Sequence, residues 1–86
     1  MVAVESNTQV REYKYDNVCF IITEKKIAVE TRLQFFYLEP LQPYYVKRLR
    51  TIALLIEMGQ IKTMTDLIGY AGGRLNWVPA RREWLK

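Results

Sequence analysis

Apolar and polar residues alternate through the first half of the chain, then shift to helical spacing. Residues 10–15, VREYKY, place Arg11, Tyr13 and Tyr15 on one side. Asp16 and Asn17 form a turn signal, since both tolerate left-handed backbone. Residues 18–23, VCFIIT, are β-branched and aromatic and read as a central strand. A charged turn at 24–26 follows. Residues 27–38 then alternate almost throughout, with Ile27, Val29, Thr31, Leu33, Phe35 and Tyr37 on one face and Glu30, Arg32 and Gln34 on the other. Leu33, Phe36 and Tyr37 also fit a helix over 29–38, but the period of two favours a single long strand. Three strands joined by short turns make an antiparallel meander with one packed face and one wet face.

Pro40 and Pro43 break this pattern. Pro43 suits the first turn of a helix, and Gly59 suits the position just past its end. Between them Tyr45, Leu49, Ile52, Ala53 and Ile56 share one stripe. Lys47, Arg48 and Arg50 crowd the first half of this helix, and residues 52–56 are apolar on every side. A helix apolar all round is ordinarily buried on all sides, under later helices or against a partner chain. A second helix begins at Thr63, whose hydroxyl caps it with Asp66 three residues on, and stops at Gly72-Gly73. A short third helix is expected from Pro79 through Leu85.

Strands first and helices after indicate an α+β fold: an amino-terminal three-stranded antiparallel sheet, then two or three helices packed on one face. Residues 1–9 lack periodicity and read as a flexible arm, leaving 10–86 as a single small domain. At 86 residues such a domain buries only about 60% of its unfolded surface.

Composition narrows the chemistry. There is no histidine, which removes the commonest general base and metal ligand. Cys19 is the only cysteine, so no intrachain disulfide forms, and it reads as a small core residue. No metal site and no cofactor are expected. The glycines at 69, 72 and 73 follow no strand and read as a helix stop, not a phosphate loop. Glu57, Asp66 and Glu83 are scattered over separate elements, so no carboxylate pair for acid–base work is proposed. The reading is a non-enzyme with no small-molecule substrate. The longest apolar run is far short of a membrane span, and the start of the chain lacks the pattern of a signal peptide, so a cytoplasmic protein is expected.

Charge is where the two halves differ. Residues 1–42 carry five basic and six acidic residues, whereas 43–86 carry eight basic and three acidic. The excess falls into two basic-aromatic clusters. One is Tyr44, Tyr45, Lys47, Arg48 and Arg50, and the other is Arg74, Trp77, Arg81, Arg82, Trp84 and Lys86. Cations neutralise phosphates and flat rings stack on bases. The same residues can equally anchor helices to a sheet, with arginine stems lying along Trp. A helix-turn-helix over 63–85 fits the glycine turn and the basic last segment, but its turn is too long. The expected function is therefore a small regulatory protein that binds DNA or RNA through Lys47, Arg48, Arg50, Arg74, Trp77, Arg81 and Arg82. The alternative is an adaptor or inhibitor module that docks a larger protein, or a second copy of itself, on the apolar surface of the helix.

Overall fold

A computed structural model describes residues 10–23 and 26–85. The expected arm at 1–9 lies outside the described residues. Strands β1 (Arg11–Tyr15), β2 (Val18–Ile22), β3 (Ile27–Glu30) and β4 (Phe35–Pro40) come first. A 3-10 turn (Pro43–Tyr45) leads into helix α1 (Val46–Glu57), then α2 (Met64–Ala71). Strand β5 (Leu75–Pro79) and a 3-10 turn (Arg82–Leu85) close the chain. All neighbouring strands are antiparallel, in the order β1-β2-β3-β4-β5.

The sheet therefore has five strands where the sequence pattern predicts three. The first extra strand has a local cause and the second a long-range one. The long alternating run at 27–38 folds in half at Thr31. Its backbone N–H donates to Gln34 O at 2.8 Å, and its hydroxyl accepts from the N–H of Gln34 at 3.1 Å. Leu33 sits at the tip of that turn, 93% exposed. The fold pairs Ile27 with Leu38 and Val29 with Phe36. Phe36 and Leu38 thus share a face with Ile27 and Val29, while Phe35 and Tyr37 point to the opposite face. A uniform alternation places them the other way round.

The second extra strand is β5, which replaces the start of the expected third helix. Leu75, Trp77 and Val78 pair with Pro40, Leu38 and Tyr37. Pro79 is tolerated because β5 is an edge strand with one side free of ladder bonds. Only a 3-10 turn follows it, so no reading helix exists to complete a helix-turn-helix.

Both helices lie on one face of the sheet. Val18, Phe20, Ile22, Val29 and Leu38 meet Leu49, Ile52 and Ile56 of α1, Ile61, and Leu67 and Ala71 of α2. The Tyr15 hydroxyl donates to Ile56 O at 3.2 Å, tying the first hairpin to the end of α1. The opposite face is not wet. Cys19, Ile21, Ala28 and Tyr37 form a second buried cluster, flanked by Phe35, Val78 and Ala80. All five residues of β2 are consequently buried. The chain after β5 folds back across this face. There Arg82 holds Glu30 of β3 at 2.7 Å and Glu12 of β1 at 2.8 Å.

Thr63 caps α2 as expected, accepting the Asp66 N–H at 3.0 Å. The Asp66 carboxylate reaches one residue further back than a capping box requires and accepts from Lys62 N–H at 3.1 Å. Gly72 ends α2 in the left-handed conformation (φ 58°), donating to Ile68 O at 3.1 Å.

Candidate functional site

α1 begins where β4 ends, and α2 runs back to the same place. Pro40 closes β4 opposite Leu75, the first residue of β5. The Leu41 N–H donates to Arg74 O at 3.0 Å. The start of α1 and the end of α2 therefore lie together at one end of the sheet. The Arg74 backbone thereby lies beside the segment that leads into α1, while its guanidinium lies against Gly72 at the end of α2.

The 3-10 turn sets the geometry at this end. Pro43 fixes its first φ, and the Tyr45 N–H donates to Gln42 O at 2.8 Å. Tyr45 is half-buried and Tyr44 is 81% exposed. Their ring centroids stand 5.3 Å apart at 57°. The exposed side of α1 continues from Tyr44 through Lys47, Arg50 and Thr51 to Leu54 and Met58. These positions are three or four apart, so they form one stripe along the helix. Arg48 is half-buried beside it. The first half of the stripe is aromatic and basic, and the second half is apolar, with Leu54 54% and Met58 61% exposed. The apolar run at 52–56 is thus not buried all round. Ile52 and Ile56 face the core while Leu54 faces out.

Electrostatics at this end run against helix stability. The amino end of a helix carries partial positive charge, which favours carboxylates and opposes cations. The first turn of α1 holds no acidic residue and no side-chain cap. It holds Lys47 and Arg48 instead, with Arg50 one residue on. Among the described residues, no carboxylate lies within ion-pair distance of Lys47, Arg48, Arg50 or Arg74.

The other predicted site residues are placed elsewhere. Trp77 is half-buried on the helix-covered face, edge-on to Phe36 with centroids 5.0 Å apart. Arg81 is exposed at the end of β5. Arg82 lies across the opposite sheet face, occupied by Glu12 and Glu30. Lys47, Arg48 and Arg50 share the start of α1, Arg74 lies at the end of α2 with its guanidinium against Gly72, and Trp77, Arg81 and Arg82 are placed elsewhere. Tyr44 is the residue that spacing alone undervalues. Its one signal is that it falls off the apolar stripe begun by Tyr45.

Little else offers chemistry. A groove of about 790 Å³ opens between the β1–β2 turn and the start of α2, lined by Lys14, Asp16, Asn17, Lys62, Thr63 and Met64 among others. Its cations alternate with Asp16 and the nearby Asp66. Asp66 itself is held below its ordinary pKa, chiefly by the Lys62 N–H. Burial pushes the Cys19 thiol up, and Glu12, whose Oε1 is 3.7 Å from Sγ, pushes it further. That is the opposite of an activated nucleophile. Burial also raises the Tyr37 phenol. Among the described residues, no three His, Cys, Asp or Glu side chains are grouped to hold a metal ion. No helix among them is long and apolar enough to cross a membrane.

No protein-family model, characterised protein or solved structure matches this chain.

Proposed function

We propose that the protein binds nucleic acid at the amino end of α1, through Lys47, Arg48, Arg50 and Arg74. One observation carries this reading: cations occupy the positive end of a helix with no carboxylate beside them. Lys47 and Arg48, in the first turn of α1, each cost about 0.3–1 kcal/mol in such a position. A local choice that opposes the fold is expected where function demands it. The cations add to the helix's own partial charge and make this end a concentrated source of positive potential. A polyphosphate backbone is the ligand that relieves it.

The test is binding of a labelled oligonucleotide across a salt series. Four phosphate contacts predict a slope of about −3 to −4 in log affinity against log salt. Lys47→Glu with Arg50→Glu abolishes binding while leaving the circular dichroism spectrum intact, because both side chains are exposed. A flat salt response, or full binding by the double variant, overturns the proposal.

The apolar continuation of the stripe favours a second reading, in which Leu54 and Met58 dock a partner protein. Exposed apolar patches mark interaction surfaces, and Met is enriched at interfaces. Leu54→Glu with Met58→Glu separates the two. It removes a protein partner while nucleic-acid affinity persists.

A further inference from the structure

The geometry points to a single-stranded nucleic acid, with Tyr44 as the ring on which a base stacks. This inference rests on the nucleic-acid reading above and deepens it. Tyr44 is the most exposed aromatic side chain among the described residues, and the fold gives it no hydrogen bond. Its ring nevertheless stands on a fixed base. Pro43 sets the backbone before it, the Tyr45 N–H closes the turn, and the Tyr45 ring supports it at 5.3 Å. A supported ring loses little freedom on contact, which favours binding by stacking.

The surrounding charge matches that use. Lys47 and Arg48 follow Tyr44 by three and four residues, so they rise beside the ring on the next turn. Arg50 stands just beyond them on the exposed side of α1. A base laid on Tyr44 therefore has cations close by for its flanking phosphates.

A duplex cannot use this arrangement in the same way. Its bases are paired and stacked internally, and it offers a surface only phosphates and base edges. An exposed ring adds nothing to such contacts without wedging the stack apart, which is itself costly. An unpaired strand presents π-faces freely, and the stacking contribution is tolerant of sequence. Tyr44 thus separates single strands from duplexes, while the cations serve both.

Fluorescence anisotropy at about 50 mM salt tests this with three probes of about 12 nucleotides: oligo-dT, oligo-rU and a mixed-sequence DNA duplex. At least one single-stranded probe binds about tenfold tighter than the duplex. Tyr44→Ala removes that preference and leaves duplex affinity unchanged, and Tyr44→Trp retains it. A duplex bound as tightly as both single strands overturns the inference but not the nucleic-acid reading. So does a Tyr44→Ala variant that keeps the single-strand preference. A wild-type chain that binds none of the three probes overturns both. The two single-stranded arms show whether the sugar is deoxyribose or ribose.

Discussion

Arg82 reaches back across the sheet to Glu12, seventy residues away, with Nη2 2.8 Å from the carboxylate oxygen. Its Nη1 holds Glu30 at 2.7 Å. One guanidinium thereby ties the end of the chain to β1 and β3 over the face that the helices leave open. The three side chains are 46%, 35% and 39% exposed, so water screens these pairs. Arg82→Ala is expected to cost about 1 kcal/mol or less, read by urea unfolding. The difference from wild type shrinks as salt rises. If the proposed nucleic-acid site is correct, Arg82→Ala leaves its affinity unchanged, because Arg82 engages Glu12 and Glu30 on the opposite sheet face.

On the same sheet face, the Tyr37 hydroxyl is buried and finds no hydrogen-bond partner. An unsatisfied buried polar group costs about 1–3 kcal/mol. Tyr37→Phe removes the hydroxyl and keeps the ring that packs edge-on against Phe35 and lies under the Lys26 ammonium at 4.4 Å. The variant is expected to be more stable than wild type by about 1 kcal/mol. A higher urea midpoint with an unchanged slope is the supporting result.

Ile52 is fully buried where α1 meets the sheet. Ile52→Ala leaves a cavity and is expected to cost about 2–5 kcal/mol. Domains of this size carry about 5–15 kcal/mol in all, so the change takes a large share. Leu54→Ala, two residues on and exposed, is expected to stay within about 0.5 kcal/mol of wild type. Thermal unfolding of the pair checks which side of α1 faces the core.

Asp66 gives a pH dependence of known sign. The Lys62 N–H holds its folded pKa below the ordinary value of 3.8. A depressed folded pKa contributes stability that is fully present above the unfolded value. That contribution is lost as pH falls below 3.8 and through the folded value. Asp66→Asn is therefore less stable than wild type at neutral pH and converges on it in strong acid. Unfolding midpoints of both proteins across this range measure the effect.

The legible parts of this chain are those settled by neighbours in sequence. Thr63 and Asp66 announce the start of α2, and Gly72 its end, because caps depend on residues within one turn. The apolar stripe of α1 shows at Leu49, Ile52 and Ile56 because helical spacing repeats over three turns. The strand content of 10–23 and 27–38 shows because β-branched and aromatic residues alternate there.

What local pattern could not carry is pairing and placement. The turn at Thr31 keeps the apolar alternation unbroken in sequence, so one strand and two look alike. Register with β2 and β5 decides between them. β5 carries Asn76 and Pro79 among its apolar residues, which obscures a strand signal, and it pairs along the outer edge of β4. Arg74 and Arg82 are equally basic in sequence. The guanidinium of the first lies against Gly72 with no carboxylate in ion-pair distance among the described residues, and two carboxylates on the sheet engage the second. Sequence alone determined an α+β chain whose basic second half carries two helices. Tertiary structure decided which cations are left free at one end, because ion pairing and strand pairing join residues that no local period relates.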